Sequence, residues 1–127
     1  MVLGASAALA EGGSIAIELN KLESQGQECR AYFVIDNKDS NTYEALKLDL
    51  VLFGPDGIIS QRFAVDLAPL KANKRTVKLF DIAGTSCDQV GSFLVNDAME
   101  CRTEAGEVAD CLQDIALSSR TDNQLTK

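Results

Sequence analysis

Cys29, Cys87, Cys101 and Cys111 are the side chains best equipped for chemistry in this chain, and no histidine accompanies them. A thiol attacks carbonyl carbon efficiently only with a base beside it, and imidazole is the usual one, so Cys-His and Ser-His-Asp catalysis are both excluded. Histidine-ligated zinc, copper and iron sites go with them. No two of the four stand as Cys-x-x-Cys, which removes a thioredoxin-like redox pair and the paired spacing of a Cys₄ zinc site. What remains is structural disulfide bonding. Four cysteines allow three pairings. The expected one joins Cys101 to Cys111 around the hydrophilic loop 102–110, and Cys29 to Cys87, which ties an early strand to the region before a later one. By the chain-entropy relation such closures are worth roughly 3 and 4 kcal/mol, a large share of the ~5–15 kcal/mol of a small domain.

Other reactive patterns are equally sparse. Ser-x-x-Lys and Gly-x-x-x-x-Gly-Lys do not occur, so neither a histidine-free acylation pair nor a phosphate loop is expected. Asn37-x-Asp39-x-Asn41 has the opening of a calcium loop, but Thr42 stands where the sharp turn needs Gly, and Leu48 where the bidentate Glu belongs. A hydrogen-bonded turn accounts for those residues. The 19 Asp and Glu residues leave a carboxylate-based hydrolase as the alternative enzymatic reading, since two facing carboxyls suffice for glycosidase chemistry. No metal or cofactor is expected, and the primary reading is non-catalytic.

Composition sets further bounds. At 127 residues the chain is one domain, and 46% hydrophobic content supplies a core without metal help. The net charge of −7 argues against nucleic acid and anionic membranes as partners, since both require clustered positive charge. Lys71, Lys74, Arg75 and Lys78 form a local reversal of that charge, suited to an acidic partner or to a solvated hairpin. Met1–Ala10 is apolar and uncharged, and closes on Ala8-Leu9-Ala10 before Glu11. It reads as the remnant of a secretion signal cleaved after Ala10. Export to an oxidising periplasm agrees with an even cysteine count, and no apolar run approaches the ~20 residues that span a bilayer, so no membrane insertion of the mature chain is expected.

The elements that position these residues follow a period of two. Ile15, Ile17 and Leu19 alternate with Ala16 and Glu18. Cys29, Ala31, Phe33 and Ile35 alternate with Arg30, Tyr32, Val34 and Asp36. Leu46, Leu48, Leu50 and Leu52 alternate with Lys47, Asp49, Val51 and Phe53. A helix would scatter that leucine set, whereas a strand puts it on one face. Asn37–Asn41, Gly54-Pro55-Asp56-Gly57 and the Pro69–Asn73 stretch supply turns. Further strands are expected near 59–65, 75–82, 92–101 and 112–118, with a helical turn near 88–91. About seven short strands separated by turn signals indicate an all-β, immunoglobulin-like antiparallel β-sandwich over residues 11–119. Residues 120–127 read as a polar, frayed tail. The outward residues Tyr32, Val34, Val51 and Phe53 form the expected partner-binding patch, provided each sheet is covered on one side only.

The segments Leu19-Asn20-Lys21-Leu22-Glu23, Cys29-Arg30-Ala31-Tyr32, Leu48-Asp49-Leu50-Val51-Leu52-Phe53 with Pro55-Asp56-Gly57, and Lys78-Leu79-Phe80-Asp81-Ile82-Ala83-Gly84 resemble a family of small exported proteins of Gram-negative bacteria that carry a Tat-pathway-signal label. Leu94-Val95-Asn96-Asp97 and Cys111-Leu112 fit the same pattern, so the resemblance spans most of the mature chain. It implies an envelope protein with no assigned activity. Leu52-Phe53-Gly54 is more distantly similar to the Leu-Tyr-Asp strand end of FxLYD-type sandwich domains, with Tyr and Asp both replaced. Together these readings lead to a periplasmic binding or accessory domain whose partner is another envelope protein. A purely structural subunit of an envelope assembly is the remaining alternative.

Overall fold

The computed structural model describes residues 13–127; the expected signal remnant Met1–Ala10 and its cleavage point lie outside the described residues. Nine strands are present among them: β1 (Ile15–Gln25), β2 (Glu28–Asn37), β3 (Tyr43–Phe53), β4 (Ile59–Asp66), β5 (Lys74–Ile82), β6 (Ser92–Thr103), β7 (Gly106–Glu107), β8 (Ile115–Ser119) and β9 (Gln124–Thr126). They form two sheets, one in the order β5-β2-β1-β8 and the other β4-β3-β6-β7 with β9 paired to β6. The all-β sandwich is therefore the fold.

The alternation read from the sequence becomes the inner layer. Ile15, Ile17 and Leu19 of β1, with Ala31, Phe33 and Ile35 of β2, face Leu46, Leu48, Leu50 and Leu52 of β3 and Phe93 and Val95 of β6 in one buried cluster. Phe33 anchors it with edge-on contacts to Phe80 and Phe93, at ring-centroid distances of 5.8 and 6.3 Å. The Gly54–Gly57 turn forms as its residues demand. The Gly57 N–H donates to the Gly54 carbonyl at 2.9 Å, Gly57 takes φ +81, and the Ile58 N–H donates to the Asp56 carboxylate at 3.0 Å. Gly91 is required for a different reason. Its N–H donates to the Phe53 carbonyl at 2.8 Å, and a Cβ there would collide with the Gly54 carbonyl.

Three details differ from the sequence reading. The sheets are mixed rather than wholly antiparallel, because β1 runs parallel to β8 and β6 parallel to β9. The strand expected from residue 112 begins at Ile115, since Cys111–Asp114 wind into a 3-10 turn after the second disulfide; a similar turn occupies Cys87–Gln89. The tail does not fray. Leu125 is buried in the core, the Asn123 amide donates to the Val90 and Gly91 carbonyls at 2.8 and 2.9 Å, and the Arg120 N–H donates to the Leu19 carbonyl. One apolar side chain and a few long-range hydrogen bonds hold this strand, and neither produces a periodic signal in so short a segment.

Candidate partner-binding face

Both disulfides have the expected pairing. Cys29 of β2 is bonded to Cys87 and so ties the four-stranded sheet to the turn that leads into β6; Cys101 of β6 is bonded to Cys111. No free cysteine remains among the described residues. Two such bonds indicate an oxidising, non-cytoplasmic compartment. No helix among the described residues is long and apolar enough to cross a membrane.

The Asn37–Asn41 loop is a turn built from its own side chains. The Asp39 N–H donates to Asn37 Oδ1 and the Asn41 N–H to Asp39 Oδ1, each at 3.0 Å. The buried Asn37 amide donates to the carbonyls of Asn41, Leu70 and Lys71. These groups clamp the β4–β5 connection to the end of β2, a structural task that accounts for Asn37.

The four residues expected to form one patch lie on opposite outer faces of the sandwich. Tyr32 and Val34 belong to β2 in one sheet, and Val51 and Phe53 to β3 in the other. Val51 is 6% exposed. It is flanked in register by Arg62 of β4 and Leu94 of β6. The Arg62 guanidinium reaches back along β3 to bond both oxygens of Asp49 at 2.9 and 2.7 Å, and the Asn96 amide adds a third bond at 3.0 Å. The stem of Arg62 therefore runs beside Val51. Arg62 first, and Asn96 after it, push the Asp49 carboxyl down to about 2. Phe53 is half-buried at the strand end, opposite the exposed Ile59. The single patch does not exist as drawn, because the two strands that carry it are in different sheets.

The outer face of the four-stranded sheet is different. Cross-strand neighbours share a face, and the register from β5 through β2 to β1 gives four rows: Asp81–Arg30–Glu23, Leu79–Tyr32–Lys21, Val77–Val34–Glu18 and Arg75–Asp36–Ala16. The two central rows hold an apolar stripe. Val77 is 58% and Leu79 48% exposed, and Tyr32 and Val34 are half-buried beside them. The outer rows are charged and internally paired. Arg30 grips Asp81 through two bonds of 2.7 and 3.1 Å, and Arg75 grips Asp36 at 3.0 and 3.3 Å. The Tyr32 hydroxyl donates to Glu23 at 2.7 Å, and the Lys21 ammonium lies 5.7 Å from the Tyr32 ring centroid. Further along, Arg120 bonds Glu18 at 2.9 Å across a hollow of about 350 Å³ beside Val34.

Val77 and Leu79 are the residues sequence reasoning missed. Their signal was available: Arg75 and Asp81 flank them at alternate positions and carry charges that complement Asp36 and Arg30. It was hidden because the other set, Thr76, Lys78 and Phe80, is no more apolar, and an edge strand shows weak contrast between its faces.

Carboxylates gather elsewhere. Asp97, Glu100, Glu107 and Asp110 line an open groove of about 660 Å³ beside the Cys101–Cys111 bond, together with Met99 and Lys127. The Lys127 ammonium is engaged with the carbonyls of Leu112, Gln113 and Ile115. The carboxyls with a marked shift are Glu18, Glu23, Asp49 and Asp81, each lowered by the hydrogen-bond donors Asn20, Tyr32, Arg62 and Arg30 respectively. A general acid requires the opposite shift, and these four are held ionised by their donors.

No family model matches the chain, and no curated protein matches it. Among solved structures, IrmA from Escherichia coli superposes with a TM-score of 0.61 at 14% sequence identity, covering 83% of this chain and 91% of that one. The likeness concerns the fold alone, and the resemblance to exported Gram-negative proteins rests on the sequence segments that carry it. What these findings place on record is a small all-β domain, stapled by two disulfides, similar in fold to a bacterial β-rich protein.

Proposed function

We propose that this chain is a non-catalytic binding module of the bacterial cell envelope, exported to the periplasm, that recognises another envelope protein through the outer face of its four-stranded sheet. One observation carries the reading: Val77 and Leu79 stand half-exposed or more beside Tyr32 and Val34, bracketed by the Arg30–Asp81 and Arg75–Asp36 pairs. An apolar centre that includes Tyr, with Arg at a polar rim, is the composition of protein interfaces. The pre-paired rim also lowers the ordering cost of association, because those side chains are already held. The absence of histidine, the commonest general base, supports a binding rather than a catalytic role.

The test places a photo-crosslinking residue at Leu79, and in a second variant at Lys47 on the opposite face. Crosslinking in envelope extract should yield a defined adduct from position 79 and none from 47. The adduct should vanish in the presence of excess unlabelled native protein, while excess Leu79→Asp leaves it intact. Equal labelling from both faces, or effective competition by Leu79→Asp, would remove this face as the contact surface.

A further inference from the structure

β5 is the outer strand of its sheet and pairs only with β2. Among the described residues, no backbone hydrogen bond joins 75–82 to anything else, and the side chain on this stretch of backbone is the Lys74 ammonium, 3.0 Å from the Arg75 carbonyl. A nine-residue strand thus presents one side of its peptide groups unpaired, which is a template for a further strand.

The charge along this edge is out of keeping with the rest of the chain. The protein carries −7, yet Lys71, Lys74 and Lys78 cluster here, and none of them forms an ion pair among the described residues. Arg75, the fourth cation of the cluster, is already held by Asp36. The edge strand of the other sheet, β4, offers no such surplus, because its Arg62 is bonded to Asp49.

We infer that the β5 edge receives an added strand from the partner, an extended acidic segment with apolar residues at alternate positions. This rests on the proposed contact face and supplies its mode and chemistry. In such a pairing, alternate side chains of the incoming strand would extend the Leu79–Tyr32 and Val77–Val34 rows, so apolar residues fit there. The intervening side chains would lie along the inner side of the edge, beside Thr76, Lys78 and Phe80, where Lys78 and, at the strand start, Lys74 are the cations that carboxylates complement. A second copy of the chain is a poor occupant. The antiparallel register that sets Val77 against Leu79 sets Lys78 against Lys78, where like charges are destabilising; it also sets Arg75 against Asp81, but those two are already paired with Asp36 and Arg30 within the chain.

The probe is a fluorescein-labelled peptide of alternating Val and Glu, acetylated and amidated at its ends. Fluorescence anisotropy with the native protein should show saturable binding that weakens as salt rises, and hydrogen exchange should show new protection confined to residues 75–82. The Lys74→Glu, Lys78→Glu double variant should weaken affinity by about tenfold or more. Loss of binding at high salt gives the same reading without any substitution. Two peptides N-methylated at alternate residues, one in each register, separate this inference from the face on which it rests. One of them should fail to bind. If both bind as well as the parent, side chains alone make the contact, and the edge inference falls while the face survives. If the Val-Glu peptide does not bind, the acidic-strand chemistry is wrong. If the native protein instead forms a concentration-dependent dimer with β5 amides protected, a second copy occupies the edge and the inference is overturned. Failure of the Leu79 crosslink is a separate result that removes the face itself.

Discussion

The two outer faces of this sandwich start from the same sequence pattern and end in opposite states. β2 sends Arg30, Tyr32, Val34 and Asp36 outward, and β3 sends Lys47, Asp49, Val51 and Phe53 outward. On β3 the apolar residue Val51 is only 6% exposed, and its cross-strand neighbour on the edge strand β4 is Arg62, whose guanidinium is drawn along the face toward Asp49. On the other face, β2 likewise adjoins an edge strand, β5, but there the cross-strand neighbours of Tyr32 and Val34 are the apolar Leu79 and Val77, and the charged Asp81 and Arg75 bond directly across to Arg30 and Asp36. An ion pair that bridges an apolar residue hides it. Ion pairs that bracket apolar residues frame them for a partner.

The largest test of the comparison concerns what holds both faces at once. Replacing Cys29 and Cys87 by Ser should remove about 4 kcal/mol of stability by the chain-entropy relation, and denaturant unfolding should register the loss. The wild-type protein with reductant should lose more than this variant, because Cys101–Cys111 opens as well. A small loss would mean that packing alone fixes the two sheets against each other.

Within β3, the inner and outer positions can be ranked. Leu50→Ala should cost about 2–5 kcal/mol, since it empties a fully enclosed site. Val51→Ala should cost about 1–2 kcal/mol for two buried methyl groups. If Val51→Ala is neutral, Arg62 does not cover it and the outer face of β3 is as open as that of β2.

The Arg62–Asp49 bridge makes its own pH signature. The Asp49 carboxyl is lowered to about 2, below its unfolded value, so its contribution is fully present above about pH 4 and is lost as pH falls toward about 2. Asp49→Asn should flatten the stability profile in that window, and acid titration followed by circular dichroism would show it. An unchanged profile would mean the bridge is not formed in solution, and Val51 would lose its cover.

The smallest effect is expected where the binding reading is strongest. Val77→Ser and Leu79→Ser should each shift stability by no more than about 0.5 kcal/mol, as exposed positions do, while weakening partner capture. A loss comparable to that of Val51→Ala would show that this face is packed against another part of the chain and is not available to a partner.

Much of the fold was legible because its signals are local. Strict alternation over Ile15–Leu19, Cys29–Asp36 and Leu46–Phe53 demands strands with one buried face, whatever they pack against. Gly54-Pro55-Asp56-Gly57 turns by its own dihedral preferences. The cysteines without histidine indicated disulfides, and the hydrophilic loop between Cys101 and Cys111 suggested their pairing. The outward placement of Tyr32 and Val34 on β2 was legible too.

The tertiary structure decided everything that depends on which strand lies beside which. Period-two patterning shows that Val34 and Val51 both point away from the leucine core, but exposure depends on the neighbouring strand, and sequence adjacency does not supply that neighbour. Arg62 and Val51 become partners through β-pairing, Val77 and Leu79 join Tyr32 and Val34 through a register set by the whole sheet, and Leu125 enters the core through one parallel pairing with β6. A residue's type determines whether it prefers burial; only the surrounding strands determine whether anything is there to bury it.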